Sequence, residues 1–280
     1  MIRILLDSTA DFSLEELKAR NITMVPLSVN FGEESLQDIV ELETNAFYDR
    51  LINGGVHPKT SLPSPAAFLE KFEEAQQAGD ELICILLSGG LSGTVQSAIN
   101  AKEMLGYEGI HVIDSKTAAA AIRIMVEHTE KRIAEGASAK EIVEELEELK
   151  GRTQIFAAVD TLEYLYKGGR LSKAAATIGS MASLKPIITL NREGALEVPG
   201  KCLGRTKALN FLLDALKKHP QDKNHKLYTI YTLGTENVGK LQDLLSTEGH
   251  DFAGPVQIGS TIGTHVGPGA FGIIYVEEKK

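Results

Sequence analysis

Leu82-Ile83-Cys84-Ile85-Leu86-Leu87 runs directly into Ser88-Gly89-Gly90-Leu91-Ser92-Gly93-Thr94. An unbroken apolar run of this length, ended by glycines and hydroxyls, reads as a strand buried on both faces, as in a parallel sheet. The residues from Thr94 to about Leu105 then read as a helix. The loop therefore joins a buried strand to a helix start. Glycines let backbone N–H groups approach a ligand closely, and a helix N-terminus favours an anion. A tight turn capped by Ser or Thr is the competing reading of the same seven residues.

Working outward, short apolar runs alternate with amphipathic segments, the pattern of an α/β domain. Residues 2–6 read as a strand. Ser13-Leu14-Glu15-Glu16 is a capping box that opens a helix to Arg20. An apolar run at 22–30 is interrupted by Pro26, which predicts a bend or a sheet edge. A helix near 44–53 ends at Gly54-Gly55, and Ser64 with Pro65 opens another that stops near Gly79. The strand at 110–113 ends in Asp114-Ser115 and leads to an Ala-rich helix. Ser138-Ala139-Lys140-Glu141 is a second capping box.

After Gly151 the rhythm changes. Strands are expected at 154–159, 186–190, 226–232 and 271–276, with helices at 161–166, 205–218 and 236–247. The predicted fold class is α/β in two domains. Residues 1–150 would form an N-terminal open, mostly parallel sheet with flanking helices, and residues 151–280 a C-terminal mixed α/β domain.

Composition narrows the function. The chain has 280 residues, long enough to bury a full core without disulfides or metal. It carries 29 Lys and Arg against 38 Asp and Glu, a net charge of -9. That balance argues against a nucleic-acid binder or a protein spread on anionic lipid. Two cysteines, Cys84 and Cys202, show no metal-ligand spacing. No stretch approaches the roughly 18 apolar residues of a membrane span, and Asp7 interrupts the first apolar run before a signal peptide could form. No metal, no cofactor and no integral membrane segment are expected, and a cytoplasmic location fits.

Three strands end in polar loops: Asp7-Ser8-Thr9, Ser88 to Thr94, and Asp114-Ser115. In an open parallel sheet these ends share one rim, where ligands bind. Thr60-Ser61-Leu62-Pro63-Ser64-Pro65 adds hydroxyls in a segment stiffened by two prolines. His265 lies in Gly263-Thr264-His265-Val266-Gly267-Pro268, read as a glycine-rich turn. The loop Lys167-Gly168-Gly169-Arg170 is an exposed loop or an anion contact. No Lys-Ser/Thr follows the glycines after Ser88, so the loop is not a P-loop. Gly267-Pro268-Gly269-Ala270-Phe271-Gly272 has the letters of a dinucleotide fingerprint, but a strand follows it where a helix is needed.

Three functions fit these residues. Ser92, Asp114 and His265 occur in the chain order of a serine hydrolase, although Gly90-Leu91-Ser92-Gly93-Thr94 misses Gly-x-Ser-x-Gly by one position. Alternatively, hydroxyls and one His hold a small carboxylate or phosphate while an apolar cavity takes the rest. A third reading is a sugar- or triose-phosphotransferase module with His265 as reactive base.

Taken together, Asp7-Ser8-Thr9-Ala10-Asp11, Thr60 to Pro65, Gly90 to Thr94, Val112-Ile113-Asp114-Ser115, Asp160 to Leu165, Lys167 to Arg170 and His265 to Ala270 resemble the DegV family, in its order and over essentially the whole chain. The resemblance implies a two-domain α/β protein that binds a long-chain fatty acid and, in the acyl-binding subunits of bacterial fatty acid kinase, presents it to a separate catalytic subunit. By position it implies that Thr60, Ser92 and His265 contact the carboxylate, with Ser61 beside them and Arg170 near the mouth, where family members meet the kinase. Gly89 departs from the family pattern, where many members carry a second Ser.

Overall fold

Residues 1–171 and 183–279 are described by the computed structural model. Strand β1 (Ile2–Asp7) leads through α1 (Leu14–Arg20) to β2 (Thr23–Val25). Strands β3 (Ser28–Phe31) and β4 (Glu34–Gln37), helix α2 (Thr44–Asn53) and β5 (Lys59–Ser61) follow. Then come α3 (Pro65–Ala78), β6 (Glu81–Leu86), α4 (Thr94–Leu105), β7 (Ile110–Asp114), α5 (Ala120–Ala134) and α6 (Ala139–Lys150). The second half runs β8 (Thr153–Ala158), α7 (Glu163–Lys167), β9 (Leu184–Leu190), β10 (Leu196–Leu203), α8 (Arg205–Lys218), β11 (Tyr228–Tyr231), α9 (Glu236–Thr247), β12 (Ala253–Gln257), α10 (Ser260–Val266) and β13 (Phe271–Val276).

The local signals act where they were read. Ser13 and Ser138 each accept from the backbone of the third helical residue, Glu16 and Glu141, whose carboxylates reach back to the cap. Ser64 caps α3 with Pro65 in its first turn. The buried run of β6 pairs in parallel with β1 on one side and β7 on the other, giving a four-stranded sheet of order β2-β1-β6-β7. Pro26 ends β2, the edge of that sheet, and the chain moves on into a separate three-stranded sheet of order β4-β3-β5.

The larger sheet has six strands in the order β10-β9-β8-β13-β11-β12. It is antiparallel except for the pair β11 and β12. One of its faces packs Phe156, Ala158, Ile187, Ile273 and Tyr275 against Leu212 and Leu216 of α8 and Leu241 of α9. Its other face presents Ala157, Ile188, Ile230 and Ile274 to the first half of the chain. Helix α5 lies between, and its Ile122, Met125 and Val126 share one core with Ile4 and Leu6 of β1, Ile83 and Ile85 of β6, and that inner face. Helices α3 and α4 cover the far side of the parallel sheet through Phe68, Phe72, Ala98 and Ala101.

One local expectation fails. The segment around His265 is a helix, Ser260–Val266, and not a turn. Its first turn is satisfied by Asp38, whose Oδ2 accepts from the Thr261 backbone N–H at 3.3 Å and hydroxyl at 2.6 Å. The capping group lies far away in sequence, so no local signature announces the helix. The glycine-rich stretch after it does form a turn into β13, as its letters implied.

Candidate functional site

A cavity lies between the carboxyl rim of the parallel sheet and the inner face of the six-stranded one. It holds about 890 Å³ of space not filled by atoms, its mouth included. Leu87, Leu91, Ala118 and Ala119 wall it from the rim, and Ile155, Ala157, Ile188 and Ile230 from the sheet. Of its twenty-five described lining residues, eighteen are apolar, Tyr231 counted among them, so its walls suit an apolar group.

The polar lining residues fall into two sets. Thr189, Thr232 and Thr261 are committed within the fold: Thr189 Oγ1 donates to the Ile155 carbonyl, Thr232 Oγ1 accepts from the Ala270 N–H, and Thr261 Oγ1 donates to Asp38. Thr60, Ser92, Arg170 and His265 form the other set, gathered at one place. Thr60 Oγ1 lies 2.8 Å from His265 Nε2. Arg170 Nε donates to the carbonyl of Leu91, next to Ser92, at 3.0 Å, and its Nη1 to the carbonyl of Gly168 at 2.6 Å.

Each member arrives by a local rule. Thr60 is the middle residue of β5 and pairs with Val29, so alternation turns Thr60 inward and Ser61 outward. Ser61 is exposed and accepts from Asn30 Nδ2 at 2.8 Å. The structure thus brings Thr60 to the cavity, while Ser61 is not among its lining residues. Helix α4 has Gly93 as its cap with no side-chain hydrogen bond. Ser92 is therefore not consumed as a cap, and its Oγ lies 2.9 Å from Thr94 Oγ1 at the cavity wall.

Among the described lining residues, Arg170 carries the one fixed charge. His265 is 9% exposed, and burial, with Arg170 and His57 adding repulsion, pushes its imidazole down to about 3. It is neutral at physiological pH and a weak base. Burial also lowers Arg170, yet a guanidinium stays protonated. A carboxylate placed at this end would meet hydroxyls, an uncharged ring and one cation.

Asp114 is not part of this group. It opposes Gly89 and Lys116: its Oδ1 accepts from the Gly89 N–H at 3.0 Å and the Lys116 N–H at 3.1 Å, and its Oδ2 pairs with Lys116 Nζ at 2.8 Å. Partial burial works against ionisation, but these partners hold its carboxyl below the usual range. His265 Nδ1 has no hydrogen-bond partner among the described residues. Ser92, Asp114 and His265 therefore do not assemble as a hydrolase triad. The Asp7-Ser8-Thr9 loop is likewise structural. Asp7 Oδ2 accepts from the Leu87 N–H at 2.7 Å, tying β1 to β6, and Ser8 Oγ donates to Asp38 at 3.0 Å. Burial raises the carboxyls of both Asp7 and Asp38.

Thr60, Ser92, Arg170 and His265, singled out in the sequence, line this cavity, whereas its apolar walls carried no such signal. Ile155, Ala157, Ile188, Leu190 and Leu196 read as ordinary core in the sequence, and only their register across β8, β9 and β10 shows that they share one face.

Fold and cavity together define an α/β protein with an internal apolar pocket that ends in hydroxyls, a neutral imidazole and a guanidinium. Residues 1–278 match the family model described as "Uncharacterised protein, DegV family COG1307", and the chain belongs to the DegV family. A DegV domain-containing protein of Caldanaerobacter subterraneus is 35% identical over 280 residues, covering 99% of both chains. Among solved structures, DegV of Bacillus subtilis, described as a fatty acid binding protein, is 31% identical with a TM-score of 0.85, covering 99% of each chain. A stearic-acid-binding protein from Eubacterium ventriosum is 27% identical with a TM-score of 0.89, covering 99% of this chain and 98% of that one. Among the described residues no group of three or more His, Cys, Asp or Glu could hold a metal ion, and no helix is long and apolar enough to cross a membrane.

Proposed function

We propose that this chain binds a long-chain fatty acid in the cavity, with Thr60, Ser92 and His265 at the carboxylate and Arg170 beside the mouth, and presents it to a separate kinase for acyl-phosphate formation. The chain itself carries out no chemistry, and its setting is the cytoplasm. Residues 1–150 and 151–280 are its two domains, with the ligand between them.

The observation that carries this reading is the polarity of the cavity: an apolar interior with one end where two hydroxyls, an imidazole and a guanidinium collect. The descriptions of the similar structures as fatty-acid-binding support it. A carboxylate buried without donors would be expensive, and hydroxyls set beside a neutral ring supply them without the tight pairing of a bidentate arginine. Chain burial supplies most of the affinity, at about 0.8 kcal/mol per methylene and on the order of 10 kcal/mol gross for a long acyl chain.

Protein purified under native conditions should release a long-chain fatty acid on organic extraction, identified by mass spectrometry. Absence of any lipid, with no uptake of added hexadecanoate, would reject the proposal. With a fatty acid kinase catalytic subunit and ATP, Ser92→Ala and His265→Ala should lower acyl-phosphate formation more than they lower binding. Equal loss in both assays would reject the presenting role.

A further inference from the structure

Gly168 ends α7 with φ -75° and ψ -7°, ordinary helical backbone that any residue adopts. Its missing side chain answers to a neighbour instead. A methyl carbon added there would lie 2.0 Å from His265 Nδ1 and 2.8 Å from its Cε1. The Nδ1 edge of the ring thus abuts the Cα of Gly168, with its other nitrogen, Nε2, against Thr60 Oγ1 at 2.8 Å.

The two neutral tautomers are not equivalent in this slot. With the proton on Nδ1, a buried N–H would face carbon, because Nδ1 has no partner among the described residues and the Gly168 carbonyl is turned to Arg170. Buried donors without acceptors are rare and costly. With the proton on Nε2, Thr60 Oγ1 accepts it, and the Nδ1 lone pair faces C–H groups, a contact that proteins tolerate. Protonating both nitrogens would place a second cation beside Arg170.

We propose that Gly168 and Thr60 lock His265 as the Nε2–H tautomer, so that the Thr60 hydroxyl, and not the ring, is the donor turned to the ligand's anionic head. A hydroxyl that accepts from the imidazole keeps its single O–H for another partner, and Thr60 lines the cavity. Gly168 and His265 are then positioning residues that act through Thr60. The assignment rests on the fatty-acid reading of the cavity.

The test uses the whole protein, stripped of lipid and labelled with ¹⁵N-histidine. Two-bond ¹H–¹⁵N correlation reads the tautomer of each ring, and the spectrum of His265→Gln assigns the signal. The wild-type ring should carry its proton on Nε2. Gly168→Ala should displace the ring, abolish that signature and weaken hexadecanoate binding about tenfold. Thr60→Ser should keep both properties, and Thr60→Val should lose both. An Nδ1–H ring in the wild type overturns the proposal, as does a Gly168→Ala chain with wild-type tautomer and affinity. If Gly168→Ala does not fold, the wild-type spectrum and the Thr60 pair decide. A wild type that takes up no hexadecanoate rejects the fatty-acid reading and the donor role of Thr60, while the tautomer is still read directly.

Discussion

The Ser88 hydroxyl donates to the carbonyl of Gly194 at 2.8 Å, across 106 residues of sequence. Ser88 belongs to the rim of the parallel sheet and Gly194 to the turn between β9 and β10. Leu190 and Leu196 pair across that hairpin, and both line the cavity. The bond therefore pins one cavity wall to the other half of the molecule. Ser88→Ala would leave the buried Gly194 carbonyl unpaired and remove the acceptor of the Gly90 N–H. The expected loss is about 1–3 kcal/mol in chemical denaturation, with faster amide exchange over residues 191–196. Gly194→Ala should be worse, because φ is +75° and a methyl carbon would lie 2.0 Å from Ser88 Oγ. Wild-type stability and exchange in Ser88→Ala would show that the wall is held by other contacts.

Ala157 faces the cavity from β8, in register with Ile188 of β9, and is 5% exposed. A large apolar side chain there has empty space to enter, so Ala157→Phe should fill the pocket without the usual cost of overpacking. Lipid retained on purification should fall more than tenfold. The melting temperature of lipid-free protein should stay within a few degrees of wild type. Retention of a full complement of long-chain acid would place the ligand elsewhere.

What the sequence disclosed follows from where each element gets its partners. Ser13 with Glu16, Ser138 with Glu141, and Ser64 with Pro65 satisfy their helices from within four residues, so those helices are readable. Helix α10 takes its cap from Asp38 and was invisible as a helix, although His265 at its end stood out. Strands β10 and β12 escaped for another reason. Each holds a proline and a glycine, Pro199-Gly200 and Gly254-Pro255, and each pairing has a register shift. Such residues are tolerated because both strands are edges of the sheet. At the site, Thr60, Ser92 and His265 were legible as polar residues beside glycines and prolines, although Thr60 lies in a strand and His265 in a helix. The inward turn of Thr60 and the outward turn of Ser61 depend on the pairing of β5 with β3, which local sequence does not specify.

Asp11 gives a dependence on pH. Burial pushes its carboxyl up to about 8, against the Gly259 N–H and Arg123, with Asp38 and Asp7 adding repulsion. Its Oδ1 accepts from Gly259 at 2.8 Å, and its Oδ2 has no hydrogen-bond partner among the described residues. A carboxyl raised in the folded state holds a proton that the unfolded chain has released. Its stabilising contribution is therefore full below about pH 4 and is lost as pH rises to about 8, by at most about 1.4 kcal/mol per pH unit. Asp11→Asn keeps the acceptor for Gly259 and removes the titration. In urea unfolding the variant should match wild type near pH 4 and exceed it increasingly towards pH 8. A gap that does not change with pH would mean that Asp11 is ionised throughout.

Head and tail of the ligand should contribute separately, because the donors cluster at one end and the remaining wall is apolar. Each methylene is worth about 0.8 kcal/mol, close to fourfold in Kd, so dodecanoate should bind about two orders of magnitude more weakly than hexadecanoate. Ser92→Ala removes a head donor without touching the chain. It should shift the whole series of acids by a constant factor, about three- to tenfold, and leave the slope unchanged. Ser61→Ala should shift nothing, since that hydroxyl is exposed and engaged by Asn30. Isothermal titration of lipid-free protein with acids of graded length measures all three lines. A flat dependence on chain length would show that the hydrocarbon stays outside the cavity. A Ser92→Ala line of different slope would place Ser92 along the chain instead of at its head.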